Sequence, residues 1–286
     1  MNLKKLSAVA ISCVMATTLL TGCSDIKNTN DSPQTRIGMI SKLNAAEESV
    51  NEHLKNLEKK YMAISIKLSH DYHYYDGINE LIMALQANKI DEISTYGSVA
   101  KYIIAKNPNL ELLNHTSDMF DSFCCAVRKE DSKLHEDLNS AIKSMKDDGT
   151  FDELIKTYIK DSTNIAEPIA VAMPKIDGAE TIKVGVTGDL PPLDLILADG
   201  TPAGFNTAVI AEISKRIGKN IKLVQIESKS RAAALMSRQI DIVFWVTIPG
   251  EFWNKIENAP KDIDKPAEIE TTLPYFEDEI VHIGLK

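Results

Sequence analysis

The residues best suited to bind a small ligand stand at the ends of predicted strands. Asp189 follows a strand predicted over residues 181–187, and Thr247 follows one over residues 242–246. In α/β sheets, ligands bind beyond the carboxyl ends of the strands, where hydroxyl and carboxylate oxygens reach them. We therefore expect Asp189 and Thr247 to line a crevice, although the same residue types also serve in ordinary loops and turns.

Arg231 and Trp245 form a second pair of candidates. Arg231 ends the segment Ser228-Lys229-Ser230-Arg231, at the start of a short predicted helix. Its guanidinium can hold a carboxylate through two hydrogen bonds, and an exposed place in the first helical turn suits it equally well. Trp245 lies inside a predicted strand, so its ring either lines the crevice or belongs to the core.

The densest polar and aromatic segment is His70-Asp71-Tyr72-His73-Tyr74-Tyr75-Asp76. It follows a strand predicted over residues 62–68, so part of it, with Tyr75 as the candidate, should face the crevice. Neighbouring histidines and acids can ligate a metal. Two histidines in one loop, with no third ligand set by spacing, favour a polar loop without a metal.

The chain lacks the motifs of common enzyme classes. There is no nucleophile elbow, phosphate loop or zinc-protease pattern, and nothing assembles an acid, a base and oxyanion donors. We expect neither catalysis nor a cofactor. The formal net charge is -9 and no basic stripe is present, which argues against nucleic acid as a partner.

The N-terminus has the pattern of an export signal. Residues 1–5 carry two lysines, residues 6–20 are apolar or small and uncharged, and Leu20-Thr21-Gly22-Cys23 closes the run. The apolar core is shorter than the roughly 18–20 residues that span a bilayer. The tetrapeptide resembles the lipobox of bacterial lipoproteins, which implies cleavage after residues 1–22 and a diacylglycerol on the sulfur of Cys23. An ordinary secretory signal that contains a cysteine is the alternative.

The four cysteines do not predict a disulfide framework. Cys13 would leave with the signal, and Cys23 would carry the lipid that holds the protein on the extracytoplasmic face of the cell membrane. Cys124 and Cys125 are adjacent, and a bridge between neighbours on a strand would be strained. We expect both to be small buried apolar side chains.

Two series of elements follow a polar tether over residues 23–35. In residues 36–160 and again in residues 181–286, short apolar strands alternate with amphipathic helices. Residues 161–180 contain proline and glycine and predict a connector. Strands interleaved with helices favour an α/β protein with a parallel, helix-covered sheet.

Helix boundaries are marked by polar residues and glycine. Asp76 is expected to cap a helix over residues 78–86. Thr150 and Glu153 fit a capping box, and Gly149 suits the left-handed position that ends the preceding helix.

Several segments resemble the bacterial extracellular solute-binding proteins of family 3, the amino-acid-type receptors of ABC importers. Ile182-Lys183-Val184-Gly185-Val186, Asp189-Leu190-Pro191-Pro192-Leu193 and Ala203-Gly204-Phe205 are similar to the opening of that family. Leu273-Pro274-Tyr275-Phe276 continues the similarity. Leu85-Gln86-Ala87-Asn88-Lys89-Ile90-Asp91 is similar to the second lobe. The resemblance implies a two-lobed α/β fold of the type II periplasmic-binding-protein-like kind.

The lobes stand in an inverted order. The family runs first lobe, second lobe and return segment. Here residues 36–115 resemble the second lobe, residues 116–160 the return segment, and residues 181–286 the first lobe. A circular permutation cut at the hinge accounts for this order, with residues 161–180 bridging the old ends. Two incomplete tandem receptors, or two chains that complete one another by swapping, are the alternatives.

The resemblance implies a lipid-anchored substrate-binding component of an ABC importer, with a small polar solute and the importer's permease as partners. Family members place a carboxylate-binding arginine where Phe252 stands, an ammonium-binding acid near Tyr96 and an aromatic at Leu193. Arg231 resembles part of an Asn-Arg motif of acidic-amino-acid receptors. The three departures leave open a degenerate receptor that senses or binds a protein partner; an exported enzyme on this fold is less favoured.

Overall fold

The computed structural model describes residues 34–41, 51–52, 70–113, 120–161, 167–249 and 266–286. Cys23, Phe252 and the strand predicted over residues 62–68 lie outside these ranges. The strands are β1 (Thr35–Ile40), β2 (His70–Tyr75), β3 (Glu92–Tyr96), β4 (Leu110–Leu112), β5 (Phe120–Arg128), β6 (Thr181–Val186), β7 (Asp189–Leu190), β8 (Asp194–Ile196), β9 (Pro202–Ala203), β10 (Asn220–Gln225), β11 (Ile242–Pro249), β12 (Ile269–Thr271) and β13 (Phe276–Leu285). The helices are α1 (Ile78–Gln86), α2 (Gly97–Lys106), α3 (Ser132–Asp147), α4 (Thr150–Ile155), α5 (Phe205–Ile217) and α6 (Arg231–Met236), with a π-helix at Lys156–Lys160 and a 3-10 turn at Ser228–Ser230.

The first lobe in the chain, called lobe A, comprises the described residues of 34–113 and residues 280–286. Its strands stand in the order β2-β1-β3-β13-β4, with β1 parallel to its two neighbours and β13 antiparallel to β3 and β4. Helix α1 buries Ile78, Leu81 and Leu85, a spacing of three and four residues that lays one apolar stripe on the core.

Lobe B comprises the described residues of 120–279 and repeats this arrangement. Its strands stand in the order β10-β6-β11-β5, with β10, β6 and β11 parallel and β5 antiparallel to β11. Strand β12 also pairs with β5. The segment between β6 and α5 forms a small antiparallel sheet of β7, β8 and β9. Each lobe is thus a parallel sheet with an antiparallel strand inserted beside it.

One strand belongs to both lobes. The first part of β13 pairs with β5 from Phe276↔Phe123 to Glu279↔Phe120, and its second part pairs with β3 from Ile280↔Tyr96 to Ile283↔Ile93. The two sheets therefore continue into one another through β13, and the backbone hydrogen bonds of that strand connect the lobes.

An aromatic cluster fills the junction. The Phe123 ring lies 4.8 Å from the Tyr96 ring, 5.8 Å from the Trp245 ring and 5.6 Å from the Phe276 ring, measured between centroids. Phe123 is fully buried. Because Tyr96 comes from lobe A while Phe123 and Trp245 come from lobe B, the apolar core is continuous across the lobe boundary.

Arg128 at the end of β5 holds the segment that leads into β11. Its Nη1 donates to the carbonyl oxygens of Leu235 and Ile240, each at 2.8 Å, and its Nη2 lies 3.2 Å from the Asp241 carboxylate. These hydrogen bonds join β5 to the last turn of α6 and to the segment between α6 and β11. The position of α6 in lobe B therefore depends on β5.

The strands and helices occur close to where they were predicted, with three corrections. Residues 70–75 are not a loop but the edge strand β2, which pairs in parallel with β1. Gly77 rather than Asp76 precedes α1, and its helix has no side-chain cap. The capping box of Thr150 is also wrong, because the Thr150 hydroxyl donates to Asp148 at 2.6 Å and no side chain caps α4.

Two sequence predictions are confirmed by local geometry. Gly149 has a φ of 79°, a left-handed value that glycine adopts at no steric cost. Cys124 and Cys125 are both free thiols with no exposed surface. Within the described ranges, we find no helix with the length and apolar character needed to cross a bilayer.

Candidate functional site

Four of the five predicted binding residues come together in lobe B beside the lobe boundary. Arg231 is 1% exposed, Trp245 3% and Thr247 6%. Asp189 is half-buried beside them. Arg231 is therefore not an exposed residue of the first helical turn. Asp189 lies in the short strand β7 rather than in a simple loop.

Trp245 is held by an irregularity in β11. Its φ is 47°, and the pairing register with β5 shifts between Phe244 and Val246. A β-bulge of this kind re-aims one side chain out of the regular alternation. The Trp245 indole reaches Thr187, to whose Oγ1 its Nε1 donates at 3.4 Å. The bulge thus directs the ring toward the loop that carries Asp189.

Arg231 stacks on this tryptophan. Its Cζ lies 4.5 Å from the Trp245 ring centroid, its Nη1 donates to the Trp245 carbonyl oxygen at 2.5 Å, and its Nε donates to the Ser228 carbonyl oxygen at 3.0 Å. Both described acceptors are carbonyl oxygens, and the positive charge of the guanidinium also opposes the rise in the pKa of Asp189.

Two carboxylates share the Thr187 loop. Oδ2 of Asp194 accepts hydrogen bonds from Thr187 N at 3.0 Å, Thr187 Oγ1 at 3.1 Å and Gly188 N at 3.1 Å. Burial raises the pKa of Asp194 above its usual value. Burial, together with the negative charge of Asp194, raises the pKa of Asp189 to about 6, against the opposing effects of Thr187 and Arg231.

Lobe A lies directly over Asp189 of lobe B. A Cβ atom placed on Gly77, just before α1 of lobe A, would lie 2.2 Å from Asp189 Oδ2. Any side chain at that position would push the Asp189 carboxylate aside, and glycine leaves it in place. Lys229 of lobe B forms an ion pair with Asp76 of lobe A at 2.5 Å. The hydroxyl of Tyr96 donates weakly to Thr247 Oγ1 at 3.5 Å.

The remaining predicted positions lie apart or in the core. Tyr75, at the end of β2, is half-buried, and its ring packs near Gly38. Tyr75 therefore packs within lobe A, whereas Asp189, Arg231 and Thr247 belong to lobe B. Leu193 is fully buried in the core, where it cannot line a crevice.

A groove of about 390 Å³ also lies between the lobes, beside β13. It is bordered by Ser98 and Lys101 of α2, Lys160 of the π-helix, and Pro192. Asp278 lies in it and accepts hydrogen bonds from Ser98 N at 3.1 Å and Ser98 Oγ at 2.5 Å. None of the five residues predicted from the sequence lines this groove.

The described part of the chain contains no group of three or more histidine, cysteine, aspartate or glutamate side chains placed to hold a metal ion. His73 and Asp71 are 3.0 Å apart on the edge strand β2, with both side chains about two-fifths exposed.

Comparison with known proteins places residues 182–249, which include Asp189, Arg231 and Thr247, in a match to the family model of bacterial extracellular solute-binding proteins, family 3. This part of the chain is therefore similar to that family. The repeated sheet order and the shared strand agree with its two-lobed α/β fold of the type II periplasmic-binding-protein-like kind.

Two curated relatives match over short regions. A probable histidine-binding protein of Campylobacter jejuni is 37% identical over 82 residues, which is 28% of this chain and 32% of the relative. The ABC transporter glutamine-binding protein GlnH of Bacillus subtilis is 29% identical over 89 residues, 30% of this chain and 32% of the relative. The chain therefore spans about a third of the length of the curated relatives it matches.

Two solved structures can be superposed on most of the chain. The ligand-binding component of an ABC-type import system from Staphylococcus aureus, with zinc bound, gives a TM-score of 0.44 at 14% identity, over 89% of this chain and 66% of that one. The GluR0 ligand-binding core with L-glutamate gives 0.38 at 8% identity, over 89% and 86%. The description of the fold depends on the strand order given above and not on these superpositions.

Sequence reasoning missed Asp194, Thr187 and Gly77. Asp194 follows the Pro191-Pro192 segment, and a lone acid in a loop gives no sign that it will be buried. The contact of Gly77 with Asp189 joins residues more than a hundred positions apart. The available signal is the Asp76-Gly77 step before a helix, which the sequence alone predicts to be a helix cap.

We predict that Asp189→Asn stabilises the protein at neutral pH. A carboxyl whose pKa is raised to about 6 on folding binds protons in the native state, so its contribution to stability is lost as the pH rises from about 4 to about 6. The asparagine side chain does not ionise, so Asp189→Asn avoids this loss of stability. Its free energy of unfolding should exceed that of the wild type by about 1–3 kcal/mol at pH 8 and by little near pH 4. Urea unfolding at both pH values measures this.

Asp177→Asn, at an exposed position of the connector, is the matched control and should change neither value by more than about 0.5 kcal/mol. A loss of stability in Asp189→Asn at pH 8 would contradict the prediction, since it would mean that the carboxylate makes a net favourable contact.

Proposed function

We propose that this protein is the substrate-binding component of an ABC importer and takes up a small polar, amino-acid-like solute. The family match supports the binding role. The two relatives, a probable histidine-binding protein and a glutamine-binding protein, support an amino-acid-like solute. The observation that carries the proposal is the set of polar side chains of lobe B, with Asp189 at its centre, that lobe A covers.

The geometry suits capture by closure. Lobe A meets this set through a glycine and an ion pair, and the lobes are connected through β5 and β13. A hinge between two lobes absorbs rotation in a few residues while each lobe stays rigid. Separation of Gly77 from Asp189 would open the site, and closure over a solute would exclude water from it.

A cognate solute should raise the melting temperature. A ligand that binds only the native state stabilises it by about 2.7 kcal/mol at a concentration a hundred times its Kd. We expect such a rise for at least one member of a panel of the proteinogenic amino acids, dipeptides and small organic acids in a thermal-shift measurement. No response to any class at millimolar concentration would count against solute transport.

A second candidate is a degenerate receptor that senses or binds a protein partner at the cell surface. One observation favours it: Arg231, Trp245 and Thr247 are almost wholly buried, and each forms hydrogen bonds within the protein. The solute panel separates the two candidates, because a protein-binding receptor would give no shift with any solute and a partner in a pulldown. The matched relatives are solute-binding proteins, and we propose no catalytic role.

We also propose that Cys23 carries a lipid anchor on the extracytoplasmic face of the cell membrane. The support is the order of charge, apolar core and Leu-Thr-Gly-Cys in the sequence. Growth with radiolabelled palmitate should label the wild type and Cys13→Ser, and should fail to label Cys23→Ser, which would accumulate uncleaved. Label in Cys23→Ser would contradict the anchor.

We further propose that the lobe order is a circular permutation of the family order. Residues 283 of β13 and 38 of β1 both pair with residue 93 of β3, so Leu285 and Thr35 approach the same edge of the sheet. Two strand spacings separate them, about 10 Å. That is a short distance for a linker between the last strand and the first.

A rearranged chain tests the permutation. Residues 181–286, joined by a Gly-Ser linker of about six residues to residues 34–160, restore the family order. We expect this chain to fold with a melting temperature close to that of residues 34–286 and to bind the same solutes. An unfolded rearranged chain, with longer linkers giving no improvement, would favour swapped or tandem receptors instead.

A further inference from the structure

The groove beside β13 is lined by both lobes. Helix α2 of lobe A contributes Lys101 and Tyr102, and the π-helix of lobe B contributes Ile159 and Lys160. Its volume of about 390 Å³ falls in the range of about 300–1,000 Å³ that small-molecule sites have in proteins. A molecule held there touches both lobes, so its binding and the angle between the lobes depend on one another.

Asp278 of β13 is the buried charged group of this groove. It is 8% exposed, and its Oδ2 accepts both hydrogen bonds from Ser98, which cross from lobe A to lobe B. Burial raises the pKa of Asp278 above its usual value, as expected for a carboxylate held away from water. An ionised carboxylate has about four lone-pair positions, so Asp278 can also accept a hydrogen bond from an N–H or O–H group in the groove.

Lys101 and Lys160 bring one positive charge from each lobe to the groove. Both side chains are exposed, and Lys101 Nζ lies 4.0 Å from Glu279 Oε1, the limit of an ion-pair contact. Ion pairs between exposed side chains contribute little free energy, so the ammonium of Lys101 can exchange that contact for a ligand anion at small cost. Arg231, by contrast, is 1% exposed and stacks on Trp245. Accessible positive charge therefore lies at the groove rather than at Arg231.

We propose that this groove holds the carboxylate of the solute between Lys101 and Lys160, with a neighbouring N–H or O–H group of the solute on Asp278. This assignment rests on the proposed solute-binding function and names the side chains that select the solute. The carboxylate joins a cation of lobe A to a cation of lobe B, so the contact that binds the solute also favours closure. The groove adjoins the cluster around Asp189 through the segment that ends at Pro192, and it extends that site along the lobe boundary.

Analogues of one solute test the chemistry of the groove. Each amino acid that raises the melting temperature is compared by titration calorimetry with its carboxamide, its 2-hydroxy acid and the acid that lacks both amine and hydroxyl. We expect the carboxamide to lose about tenfold to a hundredfold in affinity, because it has no charge for the lysines. The 2-hydroxy acid should stay within about tenfold of the amino acid, since Asp278 requires a donor and not a cation. The acid without either group should bind about fivefold or more weakly than the 2-hydroxy acid.

Substitution of each lysine tests the position of the carboxylate. Lys101→Gln and Lys160→Gln should each lower the affinity for the amino acid about threefold to tenfold, a modest loss because solvent screens exposed charges. Neither should lower the affinity for the carboxamide, so the difference between the two probes shrinks by the same factor, which a purely structural effect would not produce. Lys143→Gln, at an exposed position of α3, is the matched control and should leave both affinities unchanged.

Acetylation of lysines locates the solute on the wild-type protein. With a saturating amino acid, Lys101 and Lys160 should react more slowly with an N-hydroxysuccinimide ester of acetate, as followed by mass spectrometry of peptides. Lys143 should react at the same rate with and without the amino acid.

The outcomes separate this assignment from the proposed function. Solute binding with unchanged affinity in both lysine variants and unchanged acetylation of both lysines would overturn the assignment and leave solute binding intact, as would a carboxamide that binds as tightly as its amino acid. Failure of every probe to bind would overturn both. If a lysine variant does not fold, as judged by circular dichroism, the analogue series and the acetylation rates of the wild type still decide.

Discussion

The pairing of β13 with both β5 and β3 is the constraint on which the rest of this structure depends. Its first four residues complete the sheet of lobe B, and the next four complete the sheet of lobe A. If this strand shifted, both sheets would lose a ladder of backbone hydrogen bonds. The order within each lobe therefore depends on the shared strand. The ring of Phe123 against Tyr96, Trp245 and Phe276 makes the junction a packed core as well.

A rigid junction places two polar surfaces face to face. Lobe B presents Asp189 and Lys229, and lobe A presents Gly77 and Asp76. The cost of burying Asp189 beside a second acid is visible in its raised pKa.

Much of the fold follows from local patterns, and most of the site does not. The spacing of Ile78, Leu81 and Leu85 predicts α1, because a helical stripe is a property of neighbouring residues. The sequence predicts a loop where β2 lies, because its histidines, tyrosines and aspartate do not alternate between polar and apolar residues. An edge strand can carry polar side chains on both faces, so the usual strand pattern is missing. The sequence predicts Asp189 and Thr247 as candidates because the ends of strands are visible in it.

The roles of these residues depend on contacts between distant parts of the chain. Arg231 was expected either to meet a ligand or to face solvent, yet it is buried on Trp245 because a bulge in β11 turns the indole toward it. Nothing near residue 231 reveals that bulge. The partners of Asp189 likewise come from β8 and from the start of α1, and only the assembled lobes bring them together.

The distance between the lobes with and without a bound solute tests the central claim most directly. Met83 on α1 and Met236 on α6 are exposed, 68% and 42%, and can each be replaced by a spin-labelled cysteine, since Cys124 and Cys125 are buried. Double electron–electron resonance on residues 34–286 should give one narrow distance in the free protein and a different narrow distance with a saturating amino acid that binds. A distribution that no bound solute changes would contradict closure about the shared strand.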